Sequence, residues 1–245
     1  MAVAGMLGYC YNSNMKTLPA QPNQSLIQGV RVLQALAGQG APVACTAVAR
    51  VLRLEVTRVN RMLKTLAHLR LVYRTTGRRY AIGPGMYVLA TQSLFTSGLM
   101  SRALRVLAPL ARHGHTVAMG VVWGGMVSYL FHRPPGTRAI DGVGRLTLFP
   151  AWRSSIGIAL LACQTDAEIR VHLRGQRAAQ VRAALQAVCA ARARGYGMVA
   201  GRARSIAVTL GTPPFAGIAL SGKIAVEDVP RFVAILRNAA ASMGA

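Results

Sequence analysis

The chain has 245 residues, 53% of them apolar, which is enough for one large domain or two ordinary ones around a buried core. Lys and Arg number 29 against 6 Asp and Glu, a net charge of +23 that disfavours cationic partners and suits nucleic acid or an anionic surface. So few carboxylates, mostly single or in helix first turns, leave little for acid–base chemistry, so the expectation is that the protein is not an enzyme.

Residues 1–24, MAVAGMLGYCYNSNMKTLPAQPNQ, lack the basic stretch that precedes the apolar segment of an export signal. They read as a flexible leader, with Met15 as an alternative start. Cys10, Cys45, Cys163 and Cys189 show no CxxC spacing and are expected to be reduced, mostly buried thiols of a cytoplasmic protein. SLIQGVRVLQALAGQG, from Ser25, places Leu26, Val30, Leu33 and Leu36 or Ala37 on one face, with Ser25 as N-cap and Gly38 and Gly40 as the stop. APVACTAVARVLRL follows as a second short helix with Val48, Val51 and Leu52 apolar.

LEVTRVNRMLKTLAHLRLV, residues 54–72, is a third helix of unusual charge. Projected at roughly 100° per residue, Val56, Val59, Met62, Leu63, Leu66 and Leu69 share one arc. Thr57, Arg58, Asn60, Arg61, Lys64, Thr65 and His68 fill the other, with no acid among them. Surface helices usually mix signs to gain i,i+4 pairs. This one instead offers the donors that reach guanine, adenine and phosphates. The bland alternative is a set of solvated arginines in an Arg-rich chain. Charge placement argues against it, because residues 25–90 hold ten Arg or Lys and only Glu55 as an acid. VYRTTGRRYAIG alternates around Thr75-Thr76-Gly77 as a small hairpin, placing Thr75, Arg78 and Arg79 to touch a neighbouring groove. Three compact helices and a hairpin are the plan of a winged helix-turn-helix, spanning 25–84.

The pattern is helical again from Pro84 to about His113, with Gly98 as the weak point and a linker helix over 85–100. TVAMGVVWGGMVSYLF is broken by glycines and reads as strands at 115–122 and 126–132, not as a membrane span. Short helices are expected near 154–162 and 166–173, then a strong helix ended by Gly195. Strands at 205–210 and 215–221 flank GTPP. The last helix, from about Val226, has Glu227 and Asp228 in its first turn. Mixed elements without strict alternation make 101–245 an α+β domain.

TAVARVLRLEVTRVNRMLKTLAHLRLVYR followed by RRYAIGPGM resembles the winged helix-turn-helix of IclR-type bacterial transcriptional regulators. Asn60-Arg61-Met62-Leu63 takes the place of that family's HRLL-like core, and Tyr80 to Pro84 its wing end. Two departures stand out: Arg53 and Arg70 occupy positions where the family usually has glycine. PAWRSSIGIALLA, ARARGYG, SIAVTL and GIALSGK are similar to later landmarks of the family's GAF-like effector-binding domain. The resemblance implies a sequence-specific DNA-binding regulator, acting as a homodimer or homotetramer on a double-stranded operator. DNA contacts would come from Thr57, Arg58, Asn60, Arg61, Lys64, Thr75, Arg78 and Arg79. A small organic acid or similar metabolite would sit against Ser154, Ser155, Ser205, Ala219 and Ser221, with Met119 as a wall. Arg202 and Arg204 could pair its carboxylate. The alternative is a constitutive DNA-binding protein whose C-terminal domain serves only assembly.

No cofactor is expected: GxGxxG and GxxxxGK[ST] runs are missing, Arg153 spoils a nucleophile elbow at Ser154-Ser155, and His113-x-His115 has no further ligands nearby.

Overall fold

The computed structural model describes residues 21–143 and 148–244, so that all but the end of the leader, Cys10 and Met15 included, lies outside the described residues. The chain divides into two compact units, the first ending at Gly98 and the second beginning at Leu99.

The N-terminal unit packs α1 (Gln24–Ala37), α2 (Cys45–Leu52) and α3 (Val56–His68) around one core. Val32 and Leu36 of α1, Val48 and Ala49 of α2, and Val59, Leu63 and Leu66 of α3 fill it. Strands β2 (Val72–Arg74) and β3 (Arg79–Ile82) form the hairpin, and the two-residue β1 (Val43–Ala44) adds to β3. Strand β1 is too short for a period-2 signal in the sequence. Helix α4 (Pro84–Thr96) follows, begun by proline in its first turn and without a buried side chain.

Two details of α1 and α2 differ from expectation. The cap of α1 is Asn23, not Ser25: its side chain accepts from Leu26 N at 3.0 Å, so the helix begins before the serine. The buried face is also rotated, leaving Leu26 66% exposed and Val51 72% exposed. In both helices the stripe their neighbours select is narrower than the one their apolar residues offer.

The C-terminal unit opens with α5 (Leu99–Leu107) and a 3₁₀ turn over Ala108–His113. Its six-stranded sheet is antiparallel throughout. The strands are β4 (Thr116–Trp123), β5 (Met126–Arg133), β6 (Phe149–Pro150), β7 (Gly197–Val199), β8 (Arg204–Leu210) and β9 (Ala216–Gly222). They lie in the order β6-β5-β4-β9-β8-β7. The two-residue connection Gly124-Gly125 has positive φ at both positions, as the twist of a tight hairpin demands. Helix α6 (Ser155–Ala162) lies on one face, backed by α7 (Asp166–His172) and α8 (Ala178–Arg194). Its Ile156 and Ala159 join Ala118, Val127, Ala207 and Ala219 of the sheet in one cluster. The last helix, α9 (Val229–Gly244), packs against β8 and β9. An α+β chain with a winged helix-turn-helix ahead of an antiparallel sheet domain is therefore the architecture.

Local chemistry explains several boundaries. Thr165 and Glu168 form a reciprocal capping box that starts α7. Gly195, at φ 75°, ends α8. The final helix corrects the reading of its acids: Glu227 and Asp228 precede it, Asp228 lending its carbonyl to Phe232 N. The cysteines also depart from expectation. Cys163 and Cys189 are exposed and Cys45 is half-buried, all three free. No helix among the described residues is long and apolar enough to cross a membrane.

Helix α6 sits close to the backbone on two sides. A β-carbon on Gly157 would overlap the backbone of Ala151, and one on Gly197 would overlap the Ser155 carbonyl. Gly157→Ala is expected to lower the stability of this unit by about 1–3 kcal/mol or more, because the contact is with backbone that has no rotamer to yield. Denaturant titration of the full chain, following the transition of the C-terminal unit, measures it.

Candidate functional site

Helix α3 is where sequence and geometry meet. Val59 and Leu63 are fully buried and Leu66 nearly so, which fixes the rotation of the helix about its axis. Thr57, Arg58, Arg61, Lys64, Thr65 and His68 consequently face outward, exposed, with Asn60 half-buried at the edge. Val56 and Leu69 lie at the helix ends and are exposed, contrary to the arc drawn through them. None of Arg58, Arg61 and Lys64 has an ion-pair partner among the described residues. Glu55, the N-cap, makes no side-chain bond to the first turn, whose N–H groups therefore stay open.

The hairpin behind it is held by Thr75. The Thr75 N–H donates to Arg79 O at 2.8 Å, and the Arg79 N–H donates back to Thr75 Oγ1 at 3.2 Å. Thr75 is thus occupied in closing the turn, while Arg78 and Arg79 are exposed on it. Arg74, missed by the sequence reading, lies over the Tyr80 ring at 5.9 Å and is also exposed. The result is a cationic ridge on a helix that ends beside a cationic hairpin. A rod of fixed rotation with three basic side chains, Arg58, Arg61 and Lys64, suits the wall and floor of a duplex groove.

The second cluster surrounds the start of α6. Ser154 caps the helix, and Ser154 and Ser155 are both buried, at 5% and 3% exposure. Ser155 Oγ lies 2.7 Å from Ser205 Oγ, and Ser205 faces Ser221 across β8 and β9. Strand alternation puts Ser205, Ala207, Ala219 and Ser221 on the face under α6. Tyr129 joins them, its hydroxyl 3.3 Å from Ser154 Oγ. Sequence alternation alone would have missed that placement. A β-bulge between Met119 and Gly120 lets Met119 pair with Phe131 but Gly120 with Tyr129, so Tyr129 and Phe131 point to opposite faces.

Two residues assigned here from sequence lie elsewhere. Met119 pairs with Ile218, is fully buried, and faces away from Ala118 and Ala219, so it cannot wall a site beneath α6. Arg204 alternates with Ser205 onto that same far side and spends its guanidinium on the Ile224 carbonyl. Arg202 is exposed in the preceding turn. A cavity of ≈ 390 Å³ opens at the opposite end of α6, lined by Val122, Leu160, Gln164, Glu168, Pro213 and Phe215 among others, and none of the six expected effector residues lines it. Among the described residues no group of three or more His, Cys, Asp or Glu side chains is placed to hold a metal ion.

Residues 25–76 match the model of the IclR helix-turn-helix domain. Over about nine-tenths of the chain the fold is similar to that of solved IclR regulators. It is similar to an IclR transcriptional regulator from Alicyclobacillus acidocaldarius, 24% identical over 89% of this chain and 96% of that one, with a TM-score of 0.66. An IclR family regulator from Brucella abortus is 19% identical over 93% and 95% of the two chains, at a TM-score of 0.75. A third, an IclR homolog from Microbacterium hydrocarbonoxydans in complex with 4-hydroxybenzoate, is 20% identical over 89% and 97%, at 0.63. No curated protein sequence matches the chain. The matched stretch takes in α2, α3 and β2 and nearly all of α1.

The serine pair can be probed directly. Ser155→Ala and Ser205→Ala each remove one half of a part-buried hydroxyl contact. Their double-mutant cycle is expected to give a coupling of about 0.5–1.5 kcal/mol by thermal denaturation.

Proposed function

We propose that the protein is a sequence-specific DNA-binding transcriptional regulator of the IclR type, with DNA affinity set by a small organic acid bound in its C-terminal unit. One observation carries the reading: the exposed side of α3 presents Arg58, Arg61 and Lys64 without acidic partners, on a helix whose rotation is locked by Val59 and Leu63. Self-repulsion along that helix is offset when a polyanion lies against it. Arg61 and Asn60 would read base edges, Thr57, Arg58 and Lys64 would clamp the backbone, and Arg78 and Arg79 would add contacts from the wing. Thr75 supports the wing by holding its turn.

The exposed apolar side chains of α4, Tyr87, Val88, Leu89 and Phe95, support self-association. Two copies joined there would present paired heads to repeated half-sites. In the C-terminal unit, Ser154, Ser155, Ser205, Ser221 and Tyr129 supply hydroxyls beneath α6, with Ala219 as apolar floor. Hydroxyls at a helix start suit an anionic ligand, and the relative crystallised with 4-hydroxybenzoate supports an aromatic or small carboxylic acid. Ligand binding shifts DNA affinity to the extent that it favours one arrangement of the heads over another.

Selection from random duplexes tests the DNA-binding part. The full chain is expected to enrich a sequence with two half-sites and to bind it far more tightly than mixed sequence. Arg61→Ala should cost about 1–3 kcal/mol on the enriched duplex and leave thermal stability unchanged. Equal affinity for enriched and mixed duplexes would favour a constitutive binder with an assembly-only C-terminal unit. For the ligand, a screen of aromatic and aliphatic carboxylic acids should raise the melting temperature of the full chain with at least one member, and Ser155→Ala should abolish that rise. No response to any acid would remove the effector role.

A further inference from the structure

Three non-glycine residues among those described adopt left-handed backbone, and all three are arginine: Arg53 at φ 54°, Arg70 at φ 57° and Arg78 at φ 57°. L-residues with a long side chain rarely adopt this conformation, and the penalty falls on the Cβ that glycine lacks. Of the eight glycines of positive φ, seven lie in the C-terminal unit and the eighth, Gly98, is the last residue of the N-terminal one. Thus the C-terminal unit, itself rich in arginine, uses glycine at each of its left-handed positions among the described residues. The N-terminal unit uses arginine at each of its own up to residue 82. An overall taste for arginine would not sort them this way.

The backbone at these positions is fixed by its surroundings. Arg53 ends α2 with its own N–H on Arg50 O and that of Leu54 on Ala49 O. Arg70 follows α3 in the same manner, with Leu71 N on Leu66 O, and its carbonyl accepts from Gly85 N at 3.0 Å. Arg78 closes the wing turn onto Thr75 O at 3.0 Å. Glycine satisfies each of these bonds at lower conformational cost, so the fold gives no reason for a side chain there. All three are exposed, and their side chains make no hydrogen bond, ion pair or ring contact with another described residue.

What the side chain supplies follows from position. Arg53 stands three residues before the first residue of α3 and Arg70 two after its last. A helix of thirteen residues is about 20 Å long, whereas the major groove is about 12 Å wide. Groups just beyond the two ends of such a helix therefore overlie the sugar-phosphate walls and not the bases. We propose that Arg53 and Arg70 are phosphate-clamping residues at the two ends of α3, joining Arg78 of the wing in a three-point grip on the duplex backbone. This rests on the DNA-binding reading given above. Guanidinium is suited to phosphate because its planar fork meets two oxygens at once.

The test uses Arg53→Gly, Arg70→Gly and the double variant in the full chain, with a mixed-sequence DNA duplex as probe over a series of salt concentrations. Melting temperatures should stay the same or rise, since glycine suits the left-handed backbone. The slope of log K against log salt should become shallower by about 0.9 for each arginine removed. Arg53→Lys and Arg70→Lys should keep the wild-type slope. Wild-type slopes in both glycine variants would overturn the clamp, as would a fall in melting temperature without a change of slope. If those variants are silent while Arg61→Ala still weakens binding to the enriched duplex, the clamp alone fails. If the unaltered protein binds no duplex at low salt, the reading of α3 fails and takes the clamp with it.

Discussion

The seating of α3 in its core is the constraint on which the N-terminal unit depends. Val59, Leu63 and Leu66 are gripped by Val32 and Leu36 of α1 and by Val48 and Ala49 of α2, with Val72 and Tyr80 of the hairpin completing the enclosure. Burial of aliphatic side chains to this depth stabilises the unit by roughly 1.5–3 kcal/mol for each, so rotating the helix would forfeit several such terms at once. The same three residues therefore dictate where every cation on the opposite side projects. Hydrophobic packing here performs an electrostatic task, holding like charges on one ridge despite their repulsion.

In the C-terminal unit the corresponding constraint is the close approach of α6 to the sheet. Small residues permit it: Gly157, Gly197, Gly217, Ala118, Ala207 and Ala219 leave the space that the helix fills. That approach brings Ser155 to Ser205 and Ser154 to Tyr129. The polar cluster is thus a consequence of apolar economy around it. Buried hydroxyls partnered with one another avoid the desolvation cost of isolated ones and keep capacity to accept a further partner.

Much of this was legible in the sequence. Helix α3 was legible because its apolar spacing is long and regular, and β4, β5, β8 and β9 because alternation and glycine turns bound them. The strands β1, β6 and β7 were not, being two or three residues long and defined only by their neighbours. Side-chain direction failed where a single residue breaks the period. The extra residue at the Met119–Gly120 bulge sends Tyr129 inward toward Ser154, and no pattern of period two reports such a slip. The α1 cap failed for a different reason: Asn23 and Ser25 are equally competent acceptors, and only geometry chooses between them. The cysteines were misjudged because average burial of a residue type says nothing about a helix end such as that at Cys163. Arg53 and Arg70, by contrast, were visible as departures from glycine, and the structure gives both the left-handed backbone that the glycine would have served.

The tight bed of α6 has a mechanical meaning. With no β-carbon at Gly157 or Gly197 to act as a spacer, the helix has little freedom to bend or slide on its own. At its far end Arg192 reaches across to the carbonyls of Ala162 and Gln164 and to the Asp166 carboxylate, tying the following turn to α8. Eight residues span about 12 Å, so the segment behaves as a stiff lever pinned at both tips. The serine cluster at one tip and the seventeen-residue α8 at the other are therefore joined through one stiff segment.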